Sequence, residues 1–410
     1  MKNPIKLSLY INYFVFAILL NSVGIVILKS QNIYGVDEVE ASVLELFKDM
    51  PIAIVSFLVA SFLPRIGYKK AMLIALALVS VACVGMYFGN SFWSAKLLFA
   101  SVGVSFALIK VSVYASIGLV TNGEKEHNSL MSNIEGFFMF GIALAYFLFP
   151  AFNSESDPNA WLNVYWLLAG LAVLSFLFLL RADFSEQEEI PGSNLAEDFA
   201  AMFKLLATVL VIVFVVSAFL FVMIEQGIMT WLPTFNNTVL NLPENIAIMM
   251  ASILAISLGV GRILAGYLAQ KFSWVPVLVC CIIGAMGIVL FVLPKAAEAN
   301  ITGVETLADI PLIGYAFPIV GLFIAPIYPL LNSVVLSALP KSLHSPMSGL
   351  IIIFSALGGS LGSRIIGYLF KEVGASSAFT YTLIPMALLL VALFFLKKLT
   401  DKAKKAAVAH

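Results

Sequence analysis

Residues 97–149 read LLFASVGVSFALIKVSVYASIGLVTNGEKEHNSLMSNIEGFFMFGIALAYFLF, two apolar runs joined by the polar loop from Thr121 to Asn128. Each run is about the twenty residues that a helix needs to cross hydrocarbon. Each also contains a charge, Lys110 in the first and Glu135 in the second. A lysine at a bilayer centre costs roughly 2.5 to 3.5 kcal/mol, so a buried partner or a functional cavity is expected for it. Two antiparallel helices joined by that loop place Lys110 roughly 15 Å and Glu135 roughly 9 Å from the loop side, at 1.5 Å per residue. Flexible side chains bridge that difference. The expectation is a Lys110–Glu135 pair, serving either a charged site on a water-filled cavity or the register of the two helices.

Outward from this hairpin the composition has the same character. The chain is 61% hydrophobic and 11% charged, with a mean hydropathy of +1.02, whereas soluble domains carry about 25% charged residues. The formal net charge is zero, and no basic block with interleaved aromatics is present to track phosphates, so nucleic-acid binding is excluded. Cys83, Cys280 and Cys281 lie in apolar runs without a metal-ligand spacing and read as packing residues. Lys2 and Lys6 precede an apolar run that continues to Leu28 without a cleavage site, which reads as a first span rather than a signal peptide.

Twelve apolar runs can be counted, near 8–30, 41–63, 71–89, 96–120, 129–151, 161–180, 205–233, 244–269, 274–294, 311–339, 346–370 and 378–396. With the N-terminus inside, about fifteen Lys and Arg fall on the inner side and about five outside, which places both termini in the cytoplasm. The longest polar interval divides the chain into two six-span bundles, residues 1–181 and 205–410, with a cytoplasmic linker at 182–204. Leu195, Phe199, Met202 and Phe203 give that linker an amphipathic piece suited to the membrane surface. A degenerate internal repeat supports the division. Ala60, Leu63, Pro64, Arg65, Gly67 and Lys69 end the second span, and Gly266, Ala269, Gln270, Lys271 and Ser273 end the eighth.

On these residues the chain resembles the major facilitator superfamily. The family's loop motif Gly-x-x-x-Asp-Arg-x-Gly-Arg-Lys is matched by Arg65, Gly67 and Lys69, with Ala60, Pro64 and Tyr68 at other positions of the frame, and Gly261-Arg262 with Gly266 forms the second-half counterpart. The resemblance implies an all-α integral membrane protein with twelve transmembrane helices in two pseudo-symmetric six-helix bundles. It also implies spans 1, 4, 7 and 10 around a central cavity, flanked by 2, 5, 8 and 11, with 3, 6, 9 and 12 facing lipid. The embedded charges agree: Glu45, Lys48 and Asp49 on span 2, Lys110 on 4, Glu135 on 5, Glu225 on 7, Arg262 on 8 and Arg364 on 11, with none on the lipid-facing four. Leu20-Asn21 in span 1 and Trp231-Leu232-Pro233 in span 7 are similar to the fucose-type sugar:proton symporters. Ser22 and Lys110 stand where that branch has Asp and Glu.

Residue by residue, Glu45, Lys48 and Asp49 near the outer end of span 2 read as a solvated turn or outer gate, and Arg65, Lys69, Arg262 and Asp49 as gating residues. Arg364 follows Gly358, Gly359, Ser360, Leu361, Gly362 and Ser363, small residues that admit a neighbouring helix, and its depth calls for a carboxylate or an anionic ligand. Glu225 heads Glu225-Gln226-Gly227, and Gly227 with Pro233 permits local unwinding of span 7. Pro318, Pro326 and Pro329 predict a kinked span 10 leading to Asn332. Asn21, Tyr114, Trp231 and Tyr328 are candidates to stack on and hydrogen-bond a sugar-sized ligand.

An enzyme is not indicated. Gly358-Gly359-Ser360-Leu361-Gly362 formally fits a nucleophile elbow, yet it lies in an apolar helix, while His127, His344 and His410 lie in loops or at the terminus. There is no phosphate loop for ATP. The expectation is a multi-pass protein of the cell membrane, a bacterial inner membrane by resemblance. It would act as a monomer without cofactor, moving a sugar or sugar-like solute by proton-coupled symport and alternating access. The alternative solute is an organic anion or zwitterion, with Lys110 and Arg364 as counter-charges. Multidrug efflux ranks lower, because Phe137, Phe138, Met139 and Phe140 occupy span 5 where antiporters carry a Gly-Pro or Gly-Gly signal.

Overall fold

In the computed structural model residues 3–121, 124–181, 195–299, 301–339 and 343–408 are described, and among them no strand occurs. The first half contains α1 (Asn3–Asn21), α2 (Val23–Tyr34), the short α3 (Glu38–Ala41), α4 (Val43–Ile66), α5 (Tyr68–Gly89), α6 (Phe92–Val120), α7 (Glu124–Ala151) and α8 (Val164–Arg181). The second contains α9 (Leu195–Leu206), α10 (Val209–Thr238), α11 (Glu244–Lys271), α12 (Trp274–Gly287), α13 (Leu293–Glu298), α14 (Leu312–Ala316), α15 (Val320–Ile324), α16 (Ile327–Ala338), α17 (His344–Glu372), α18 (Ala375–Ala378) and α19 (Leu383–Val408). Among the described residues, ten helical stretches are long and apolar enough to cross a membrane, or eleven if the bent pair formed by α1 and α2 is one span. The run expected at 41–63 falls within α4, which stands outside that count and carries Glu45, Lys48 and Asp49 in its first two turns.

Local chemistry explains the boundaries. A reciprocal capping box starts α6, where Ser91 Oγ accepts from the Ser94 amide at 3.2 Å and Ser94 Oγ accepts from the Ser91 amide at 3.0 Å. The first span is not one straight helix: it bends by 44° between α1 and α2. At the bend Asn21 Nδ2 donates to the Ala17 carbonyl and Ser22 Oγ to the Leu19 carbonyl, each at 2.8 Å, competing with the backbone ladder. Span 10 is broken as its prolines require, into α14, a 3-10 turn at Phe317–Ile319, α15 and α16. Span 7, by contrast, does not unwind. α10 runs unbroken through Gly227 and Pro233. Gly227 serves packing instead, since a Cβ there would lie 3.1 Å from Ile366 Cγ1 of α17.

Two compact units emerge. Unit 1 comprises Met1–Val36 and Val43–Leu195, and unit 2 comprises Asp37–Ser42 and Ala196–His410. In unit 1, α4 and α5 both lie along α6, while α1 rests on α7 and α8. In unit 2, α10 lies along α17, α11 and α19, and α15 joins α11 to α12. The α10–α17 contact is close because Cβ atoms at Gly358 and Gly362 would collide with the carbonyl oxygens of Phe219 and Met223. In unit 1 Gly103 does the same for α6 against the Lys48 carbonyl of α4. Large apolar side chains stay uncovered on the spans without charges, such as Val81 and Phe88 on α5 and Val391 and Phe394 on α19, as lipid contact demands. Of the polar interval between the halves, residues 182–194 lie outside the described residues. Its amphipathic piece is helical as α9, with Met202 buried and Phe203 exposed.

Candidate functional site

Within unit 1, α1, α6 and α7 bring together a group of aromatic and charged residues. Tyr13 of α1 lies with its ring centre 6.2 Å from Tyr114, 6.5 Å from Phe106 and 5.6 Å from Phe138. Phe106 and Phe138 stack at 6.1 Å. Lys110 Nζ stands 5.9 Å from the Phe106 ring centre. Glu135 Oε1 accepts a hydrogen bond from Tyr114 Oη at 2.7 Å. Lys110 and Glu135 therefore share a neighbourhood but do not form the expected ion pair: among the described residues no carboxylate oxygen lies within 4 Å of Lys110 Nζ. The phenol, one turn beyond Lys110, reaches the carboxylate first and satisfies it with a short charge-assisted bond.

Unit 2 treats its charges differently. Arg262 Nη2 lies 3.3 Å from Glu225 Oε1, an ion pair in which Glu225 is buried and the arginine side chain is 39% exposed. Arg262, expected near the inner surface as a gating residue, is placed by Gly261, whose bare Cα lets α11 approach the Leu322 carbonyl of α15. Tyr328 stacks on Phe221 at 5.5 Å, and its Oη lies 3.3 Å from Ser355 Oγ. Asn332 Oδ1 is buried and finds no donor among the described residues.

Several expectations are corrected. Glu45, Lys48 and Asp49 do not form a wet turn: their relative exposures are 0%, 5% and 8%. Lys48 pairs with both Glu45 and Asp49, the latter at 3.5 Å, and this pairing offsets part of the cost of their burial. Among the described residues no carboxylate pairs with Arg364. It is exposed and donates to the Val39 carbonyl at 2.5 Å and to Ser42 Oγ at 3.2 Å, capping the carbonyl end of α3, where a cation is favoured. Trp231 is fully buried, its Nε1 donating to the Ser363 carbonyl at 2.8 Å and its ring 5.0 Å from Phe370, which removes it from the ligand-facing candidates. Asn21 has its amide nitrogen engaged at the bend of span 1. Lys69 donates to the Leu180 carbonyl at 3.1 Å within unit 1. The side chains of Arg65, His127 and His344 lie outside the described residues, as does His410.

Sequence reading passed over other buried polar groups. Tyr13 is the ring that joins Phe106, Tyr114 and Phe138. Lys29 is 4% exposed, with its Nζ 5.9 Å from the Trp161 ring centre. Ser175 Oγ donates to Asn12 Oδ1 at 2.7 Å and sits 2.9 Å from Ser8 Oγ, tying α8 to α1. The spacing of Ser8 and Asn12, one turn apart on α1, was the available signal for this contact.

Comparison with known proteins completes the picture. The sequence profile of the Major Facilitator Superfamily matches residues 9–363. No curated protein sequence matches the chain. Among solved structures it is similar to a variant of the nucleoside transporter NupG, with 14% identity, a TM-score of 0.73 and coverage of 96% of this chain and 99% of that one. A D-xylose-proton symporter is similar at 16% identity and a TM-score of 0.67, with 96% of each chain covered. The fucose:proton symporter FucP of E. coli follows at 13% identity and a TM-score of 0.61, covering 95% of this chain and 98% of that one. At these identities the structural likeness carries the fold, and the profile carries the family. Spans, buried charges and profile agree that this multi-pass membrane protein is a transporter, not an enzyme, and belongs to the Major Facilitator Superfamily.

Proposed function

We propose that the protein is a secondary active transporter that moves a small sugar-like solute by alternating access, coupled to proton symport. The observation that carries this reading is the hydrogen bond from Tyr114 to Glu135 beside Lys110, a titratable carboxylate held by a phenol inside an apolar bundle. Acidic side chains within membrane spans mark proton relays in pumps and transporters. Tyr114 and Phe138, both half-buried, supply rings of the kind that cover the apolar side of a pyranose or nucleoside ring, backed by the buried Tyr13 and Phe106. The structural neighbours named above carry xylose, fucose and nucleosides, all ring polyols, which favours the same solute class here.

The two bundles are assigned to residues 1–181 and 205–410, joined by the cytoplasmic linker 182–204. Both termini are cytoplasmic, in a bacterial inner membrane, and the working form is a monomer. Arg364 is left out of the site, because its hydrogen bonds go to α3.

The test is proton entry into proteoliposomes that contain a trapped pH-sensitive dye, on addition of D-xylose, L-fucose, uridine or D-glucuronate. Wild-type protein should acidify the lumen with at least one of these. Glu135→Gln should abolish that acidification while retaining solute counterflow. Loss of both activities in a folded Glu135→Gln protein would make Glu135 structural or substrate-binding and end the coupling assignment.

A further inference from the structure

Among the described residues, neither Lys110 nor Glu135 of the unit 1 cluster has an opposite charge within ion-pair distance. Lys110 Nζ has the Phe106 face at 5.9 Å, while the Glu135 carboxylate is engaged by Tyr114. Lys110 as a residue is half-buried. Compare Lys48 in the same unit, which is buried and touches two carboxylates. The fold is thus able to pair a membrane-embedded lysine fully and does not do so at position 110. A cation kept this way inside a bundle is costly unless something in the working cycle pairs with it.

We propose that the transported solute bears an anionic group, a carboxylate or a phosphate, and that Lys110 Nζ is its counter-charge, with the solute ring lying against the half-buried Tyr114 and Phe138. The proposal rests on the sugar-like reading above and narrows it to sugar acids or sugar phosphates. The division of labour follows from the contacts. The bond from Tyr114 holds the Glu135 carboxylate in place, so an incoming anion is drawn to the ammonium and the proton to the carboxylate. A lysine also suits this role because it acts as a compact point charge on a flexible stem and meets carboxylate and phosphate alike.

The experiment uses the full chain in detergent, without any gradient, so that binding is read apart from transport. Melting temperature and Kd are measured for matched pairs: D-glucose against D-glucuronate, D-galactose against D-galacturonate, and D-glucose against D-glucose 6-phosphate. The expected result is stabilisation by the acid member of at least one pair and none by its neutral partner. Lys110→Gln should weaken the acid's Kd by about 10- to 100-fold, the worth of a hydrogen bond to a charged group, and Lys110→Arg should recover part of it. Should Lys110→Gln not fold, the wild-type comparison within each pair and the Lys110→Arg affinity still decide. Stabilisation by neutral members to the same extent, an unchanged response in folded Lys110→Gln, or no response to any acid overturns the proposal. Acid binding without proton entry into liposomes would instead overturn the proton-coupling reading and leave this one standing.

Discussion

Unit 1 and unit 2 use the same packing and different electrostatics. In each, a glycine removes the Cβ that would strike a neighbouring helix carbonyl, Gly103 against Lys48 in unit 1 and Gly362 against Met223 in unit 2. In unit 2 the embedded carboxylate Glu225 is matched directly by Arg262. In the aromatic cluster of unit 1 the carboxylate Glu135 is matched by a neutral phenol, and the lysine beside it is left with a ring face. Helix proximity is therefore a requirement shared by both halves, whereas charge closure is a local choice. An open charge inside a membrane protein marks where free energy is reserved for something that comes and goes.

The largest effect should fall on transport and in unit 1. Glu135→Gln is expected to eliminate gradient-driven uptake while the ligand-free melting temperature moves by about 2 °C or less; a large melting shift with little transport loss would erase the distinction between the units. Next come the glycines. Gly103→Leu and Gly362→Leu should each destabilise by about 3 kcal/mol or prevent folding, because backbone carbonyls cannot yield to a new side chain. If only one of them does so, as read by fluorescence-detected size exclusion, the shared-packing half of the comparison fails. Smaller and asymmetric effects are expected at the unit 2 pair. Arg262→Gln leaves the buried Glu225 without its cation and should cost about 3 kcal/mol, while Glu225→Gln leaves a partly exposed arginine and should cost about 1 kcal/mol. Equal costs in thermal unfolding would show that Glu225 is better solvated than its position suggests.

The smallest effect concerns the short helix α3. Asp37 accepts from Lys371 Nζ at 2.9 Å and from the Glu40 amide at 2.7 Å. The hydrogen-bonded ammonium and then the amide hold its carboxyl below the usual aspartate range. A carboxyl depressed in the folded state adds stability above its ordinary pKa of about 3.9 and loses it as pH falls through the lower folded value. Hydrogen exchange of residues 37–42 should accordingly be slower in wild type than in Asp37→Asn at neutral pH, and the two should converge in strong acid. Both partners are exposed, so the difference should be slight.

How much of this was legible beforehand depended on whether a feature was written in one stretch of chain or across several. The apolar runs, the broken span 10 with Pro318, Pro326 and Pro329, and the small-residue face of α17 are local patterns, and reading them needed only helix period and proline geometry. The partner of Lys110 was not local. From spacing alone Glu135 looked like its mate, because spacing gives depth along a helix and not which of two neighbours, Lys110 or Tyr114, reaches a carboxylate first. Arg364 was misjudged for a related reason: its acceptor is a backbone carbonyl, Val39, and carbonyls leave no mark in a sequence. The bend at Asn21 and Ser22 was hidden because Asn21 was weighed as a ligand contact and Ser22 only as a replacement for an Asp, not as competitors for their own backbone. Glu45, Lys48 and Asp49 were placed in water because three charges in five residues usually are, and only their direct pairing allows otherwise.

The membership of Asp37–Ser42 in unit 2 has a consequence for how the protein is made. The acceptor Val39 and its donor Arg364 are 325 positions apart, and Asp37 and Lys371 are 334 apart. At about 5 to 20 residues per second, a ribosome takes roughly a quarter of a minute to a minute to travel that distance. Throughout that interval a four-residue helix has nothing to hold it, since so short a turn does not persist alone. The second unit is thus completed by a piece synthesised first. A gene fragment beginning at Ala196 would encode a unit that lacks six of its own residues, with Arg364 and Lys371 waiting for a segment that only the other fragment can deliver.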